Sequence, residues 1–134
     1  MGAISDKGAM NLQLLDFDCS EDAEGVVCWD ALAQPAPHYN SALLAEVAQV
    51  LAWCHRFDAR GPGPLEDGAN WDFDLQVTVQ GDAHPGLPLP AKFDPTTGTL
   101  HLPFGAEQQA MALSLSISGS PAFAQAFREQ FGLP

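Results

Sequence analysis

Positive charge is nearly missing from this sequence. Lys and Arg number 5 against 17 Asp and Glu in 134 residues, giving a formal net charge of −12, and neither occurs between Lys7 and Arg56. Lys7, Arg56, Arg60, Lys92 and Arg128 stand too far apart to build a basic stripe, so the chain cannot neutralise a run of nucleic-acid phosphates. The same charge balance repels anionic membranes. Long apolar runs are also lacking. The stretch from Leu43 to Trp53 is broken by Glu46 and Gln49, and it is too short for a membrane span.

Cysteine is scarce. Cys19, Cys28 and Cys54 make an odd set whose spacing matches neither a disulfide framework nor a zinc site. Reduced thiols are the expectation, and with them a cytoplasmic location. Met1–Met10 offers no apolar signal-peptide core, and Asp6 stands where a myristoylation motif wants Ser or Thr. Residues 1–10 read as an N-terminal tail, with Met10 an equally good start, and 11–134 as one α+β domain. No phosphate-cradling loop is present either, because Gly61 and Gly63 alternate with prolines that carry no N–H donor.

The acid that is there is concentrated. Asp16, Asp18, Glu21, Asp22, Glu24 and Asp30 lie within one cation-free stretch. Laid on an EF-hand template from Asp16, the odd positions through Glu24 all carry oxygen. However, Glu21 occupies the position that needs Gly, and Val27 the position that needs a bidentate Glu, which excludes that motif. A second Asp-x-Asp stands at Asp72 and Asp74, where an extended strand would turn both carboxylates to one side and Phe73 to the other.

Apolar periodicity supplies the fold. Trp71, Phe73, Leu75, Val77 and Val79 alternate with polar residues, as do Met111, Leu113, Leu115 and Ile117, predicting half-buried strands. Asn11–Phe17 reads as a first strand, Asp18–Gly25 as an acidic turn and Val26–Trp29 as a short second strand. A helix from Asn40 or Ser41 to Phe57 would bury Leu43, Val47, Val50, Leu51 and Cys54. After the Gly-Pro loop at 61–64 and a proline-rich loop at 84–90, Asp94–Gly98 turns a hairpin into Thr99–Phe104. Ser120 and Pro121 open a last helix with Phe123, Phe127 and Phe131 on one face, closed by Gly132. The expectation is an α+β two-layer sandwich: a mainly antiparallel sheet of about five or six strands with two helices on one face.

No catalytic constellation accompanies it. Cys54 and His55 are adjacent on a helix and point about 100° apart, so they cannot act as a nucleophile–base pair. His38, His84 and His101 fall on separate elements, and Ser118-Gly119-Ser120 is not a nucleophile elbow. No cofactor is implied. The function expected is a non-enzymatic protein-binding module of immunity, inhibitor or adaptor type, docking on a basic partner. Asp16–Asp30 with Asp72 and Asp74 would steer that partner, and Trp29 and Tyr39 would anchor it. The alternative is a carboxylate-based divalent-metal protein or enzyme in which Asp16, Asp18, Asp72 and Asp74 adjoin.

Charge alone yields a first prediction: neither DNA nor RNA shifts in a gel with micromolar protein at physiological salt. A clear shift would contradict it.

Overall fold

In a computed structural model of the chain, residues 11–79, 87–103 and 105–133 are described. Seven strands and two helices follow one another as β1 (Asp18–Glu21), β2 (Val27–Ala33), α1 (Asn40–Phe57), β3 (Trp71–Val79), β4 (Leu87–Leu89), β5 (Lys92–Asp94), β6 (Thr99–His101), β7 (Met111–Gly119) and α2 (Pro121–Phe131). The sheet runs β1-β2-β7-β3-β4, and every neighbouring pair in it is antiparallel. β5 and β6 form a separate two-stranded hairpin. The architecture is the α+β sandwich that the alternation predicts.

The strictest alternation makes the centre of the sheet. β7 buries Met111, Leu113, Leu115 and Ile117 and leaves Ala112, Ser114, Ser116 and Ser118 half-buried on the other side. β3 and β2 flank it, adding Trp71, Val77 and Val79 from one side and Val27, Trp29 and Ala31 from the other. α1 covers this face with the stripe expected, Leu43, Val47, Val50, Leu51 and Cys54, all fully buried. Burial pushes the Cys54 thiol far above its ordinary pKa, so it packs as a small apolar group.

α2 carries the last part of the core. The Ser120 hydroxyl accepts from Phe123 N at 3.3 Å, Pro121 occupies the first turn, and Gly132 takes the left-handed conformation at φ 64°. Phe127 meets Trp29 at 4.6 Å, Phe131 at 4.9 Å, Phe123 at 5.5 Å and Trp53 at 5.8 Å between ring centroids. Trp53, off the buried stripe of α1, wedges between the helices against Phe123, Phe127 and Phe131. Gly119 ends β7 directly beneath Phe123. A Cβ there would fall inside the Phe123 ring, so only Gly lets α2 lie this close to the sheet.

The N-terminal third departs from expectation. Residues 11–17 are not a strand, and the first strand is Asp18–Glu21, inside the expected acidic turn. The reason lies on α1. Glu46 is buried, and its carboxylate accepts from Gln13 N at 2.9 Å, Leu14 N at 3.0 Å and Leu15 N at 2.7 Å. Backbone donors that a strand partner would take are thus consumed by a side chain. The true turn is Asp22–Gly25, where the Asp22 carboxylate accepts from Glu24 N at 2.8 Å and Val26 N at 3.0 Å. β2 then runs past Trp29 to Ala33, so Trp29 and Asp30 lie in the ladder.

Smaller corrections concern the other boundaries. α1 is led in by a 3-10 turn at Pro37–Tyr39 without a side-chain cap. Asn40 instead donates its amide Nδ2 to Gln109 O at 2.7 Å, tying the helix start to the loop before β7. Leu87–Leu89, expected as loop, is an edge strand on β3, and Pro88 is tolerated because only one side is paired. The β5–β6 turn is as expected, with Gly98 at φ 72° and Gly98 N donating to Asp94 O at 2.8 Å. Phe104 and His84 lie outside the described residues.

Two substitutions test this packing. Phe127→Ala is expected to cost on the order of 3–5 kcal/mol in chemical denaturation, from lost burial and the cavity left behind. Glu46→Ala should cost on the order of 2–3 kcal/mol and raise hydrogen exchange at the Leu15 amide, because three donors lose a charged acceptor. Losses below about 0.5 kcal/mol in either variant would contradict the arrangement.

Candidate functional site

With both helices on one face, the other face of the sheet is open, and its register decides what it presents. Asp18 on β1 stands opposite Asp30 on β2, Asp30 opposite Ser116 on β7, and Ser116 opposite Asp74 on β3. These residues form a single row across four strands. The next row reads Ser20, Cys28, Ser118 and Asp72, and on the other side of the acidic row lie Leu32, Ser114 and Gln76. No Lys, Arg or His occurs in any strand of this sheet. Arg56 and Arg60 lie at and beyond the end of α1, Lys92 on the hairpin and Arg128 on α2. Acids occur all over the molecule, but the described cations all lie off the open face, which carries four carboxylates and no positive charge.

The expected residues distribute unevenly over this surface. Asp18, Asp30, Asp72 and Asp74 share the open face. Asp16 is exposed in the segment before β1, and Asp22 and Glu24 are exposed in the β1–β2 turn. Glu21 stands opposite the buried Val27, which puts it on the helix side, in a small recess beside Pro121 and Arg128. Trp29, expected as an anchor, is 1% exposed. It lies under Phe127, with the Arg128 guanidinium 5.7 Å from its ring centroid, so it serves the core and cannot reach a partner. Tyr39 is 49% exposed beside His38, on the 3-10 turn that leads into α1.

The carboxylates hold few local partners. Asp30 accepts from the Ser116 hydroxyl and from the Cys28 thiol at 3.7 Å. Asp74 accepts from Gln76 Nε2 at 3.0 Å, and Asp72 from Phe73 N at 2.9 Å. Burial, and then the Asp30 charge, raise the Cys28 thiol above its ordinary pKa, so it is held protonated and is a poor nucleophile. His38 lies tilted against Tyr39, His55 lies between Trp71 and Phe93, and His101 bonds Thr99 at 3.0 Å. Among the described residues, then, the acidic row has no histidine to form an acid–base pair with. The one ion pair among them, Asp58–Arg60 at 2.8 Å, lies elsewhere. Arg60 and Asn70 hold the Asp58 carboxyl well below its ordinary pKa there, knotting the loop after α1.

The four-carboxylate cluster of the metal reading requires β1 beside β3, but β2 and β7 lie between them. At about 4.8 Å per strand, Asp18 and Asp74 stand about 14 Å apart along their row. No group of three or more His, Cys, Asp and Glu among the described residues is placed to hold a metal ion.

Sequence reasoning missed Leu32, which is 72% exposed on the open face, two positions beyond Asp30. Its signal was an apolar residue at the polar parity of β2, legible only once that strand is extended to Ala33. No helix among the described residues is long and apolar enough to cross a membrane. No family model, curated protein or solved structure matches this chain.

The separation of the carboxylates predicts how divalent ions act. Millimolar Ca²⁺ or Mg²⁺ at matched ionic strength should leave the melting temperature essentially unchanged, since dispersed acids respond to screening rather than to a bound ion. A saturable rise of several degrees that disappears in Asp72→Asn/Asp74→Asn would contradict this.

Proposed function

We propose that this protein is a non-enzymatic binding module of immunity, inhibitor or adaptor type that docks the open face of its sheet on a basic protein surface. The observation that carries the reading is the row Asp18–Asp30–Ser116–Asp74, set in a sheet without a single cationic side chain. Serines between the carboxylates keep the face low, so a partner's Lys or Arg could reach the acids without steric hindrance. A field of this sign concentrates basic surfaces near the sheet and speeds encounter. Leu32, exposed beside the acids, supplies the apolar contact that steering charge alone lacks. Tyr39, exposed on the turn that leads into α1, is a second candidate contact residue. The free thiols Cys19, Cys28 and Cys54 support placing this activity in a reducing compartment such as the cytoplasm.

The test is capture with matched baits. A specific basic partner should bind the native protein, with an association rate that falls steeply as salt rises. Asp30→Asn/Asp74→Asn should slow association, and Leu32→Ala should speed dissociation, with the fold intact by circular dichroism. A partner held equally by native and variant baits would remove the open face from the binding site. A purified protein that retains stoichiometric divalent metal would favour the carboxylate–metal reading instead.

A further inference from the structure

On the opposite side of the molecule, the outer face of α1 and the β5–β6 hairpin flank two open grooves of about 390 Å³ and 480 Å³. Ala52 and Gly98 line both, so the two adjoin along the helix as a shallow, solvent-open channel. One half is apolar, walled by Leu44, Ala48 and Leu100. The other half is lined by His55, Arg56, Thr96 and Thr97. The combined space lies in the range that small-molecule sites occupy.

Arg56 makes the channel more than a gap between elements. In a chain of net charge −12, it has no ion-pair or hydrogen-bond partner among the described residues, whereas Arg60 is taken by Asp58 and Arg128 lies over Trp29. The walls are set firmly. His55 is stacked on Phe93 at 5.4 Å and edge-on to Trp71 at 5.1 Å, which ties the hairpin to the helix and the sheet. The turn that brings Thr96 and Thr97 to the channel is closed by Asp94, whose backbone and carboxylate accept from Gly98 N and Thr96 N. From the apolar end at Leu44 to Arg56, the helix advances about 18 Å at its usual rise.

We propose that this channel binds a small amphiphile, an apolar chain ending in a carboxylate, with the chain along Ala48 and Leu100 and the head group on Arg56. A guanidinium presents a fork that matches a carboxylate's two oxygens, and the Thr96 hydroxyl can donate to the same group, while the Thr97 hydroxyl is bonded to Thr99 Oγ1 at 2.6 Å. A monoanion suits the site better than a phosphate. One guanidinium cancels one charge, and a second negative charge would stand unbalanced in an already acidic molecule.

Decanoate is the probe, titrated calorimetrically into the native protein, with decylamine and 1-decanol as comparators. Saturable one-to-one binding is expected for decanoate, with both comparators at least tenfold weaker. Arg56→Gln, an exposed position that leaves the core untouched, should weaken decanoate about tenfold, the size expected for losing a charge-assisted pair. Ala48→Phe should block the apolar half and abolish binding while circular dichroism stays native. Absence of saturable binding, equal affinity for decylamine, or an unchanged affinity in Arg56→Gln would each overturn the proposal. The sheet-face variants above do not touch the channel, so the two readings stand or fall separately.

Discussion

Everything in this fold depends on seating Phe123 and Phe127 on the face made by Trp29, Trp71 and Ile117. That aromatic contact fixes α2 on the sheet, and through Trp53 it fixes α1 against α2. Aromatic rings bury more area per residue than aliphatic chains, and they meet here in favoured geometries: Trp29 tilted against Phe123 and Phe127, Trp53 edge-on to both, and Trp71 stacked on Phe123. Gly119 is the matching constraint, since any side chain at the end of β7 would lift Phe123 away. With two helices committed to one face, no described helix covers the other, so the sheet finishes that face with groups that water accepts. It does so with serine on the central strand and aspartate on its neighbours.

Buried and exposed acids play opposite parts in this arrangement. Glu46 is nearly enclosed, and its charge is answered by three backbone N–H groups from the incoming chain, so a carboxylate replaces a strand partner. Asp58 is answered by Arg60 and Asn70. On the open face, Asp18 stands opposite Asp30 with no cation in the sheet, an arrangement that cross-strand electrostatics disfavours. A fold that places Glu46 and Asp58 so well, yet leaves this row unbalanced, carries charge there at a cost to its own stability. The docking role proposed for this face would account for such a cost.

Sequence legibility followed the strictness of local signals. β3, β7, α2 and the β5–β6 turn were readable because alternation, capping and turn residues agree within each segment. Residues 11–17 were not, because both parities are apolar there and the deciding acceptor, Glu46, stands more than thirty positions away in sequence. Trp29 looked exposed only while β2 was cut short. Once the strand runs to Ala33, parity sends Trp29 inward and Asp30 and Leu32 outward. The acidic residues could be named from the sequence, but not their alignment. That depends on β7 entering between β2 and β3, a long-range pairing that no local pattern records.

The central claim is that the acidic row is uncompensated charge on an otherwise finished fold. Urea unfolding of Asp18→Asn and Asp18→Asn/Asp74→Asn at low ionic strength tests it most directly. The account predicts a gain in stability on the order of 0.2–1 kcal/mol for relieving the Asp18–Asp30 pair, at least as large in the double variant. The gain should shrink toward zero in about 0.5 M NaCl, where the Debye length is only a few ångströms. A loss of stability on neutralising these carboxylates would contradict the account, because it would mean that the row holds the sheet together.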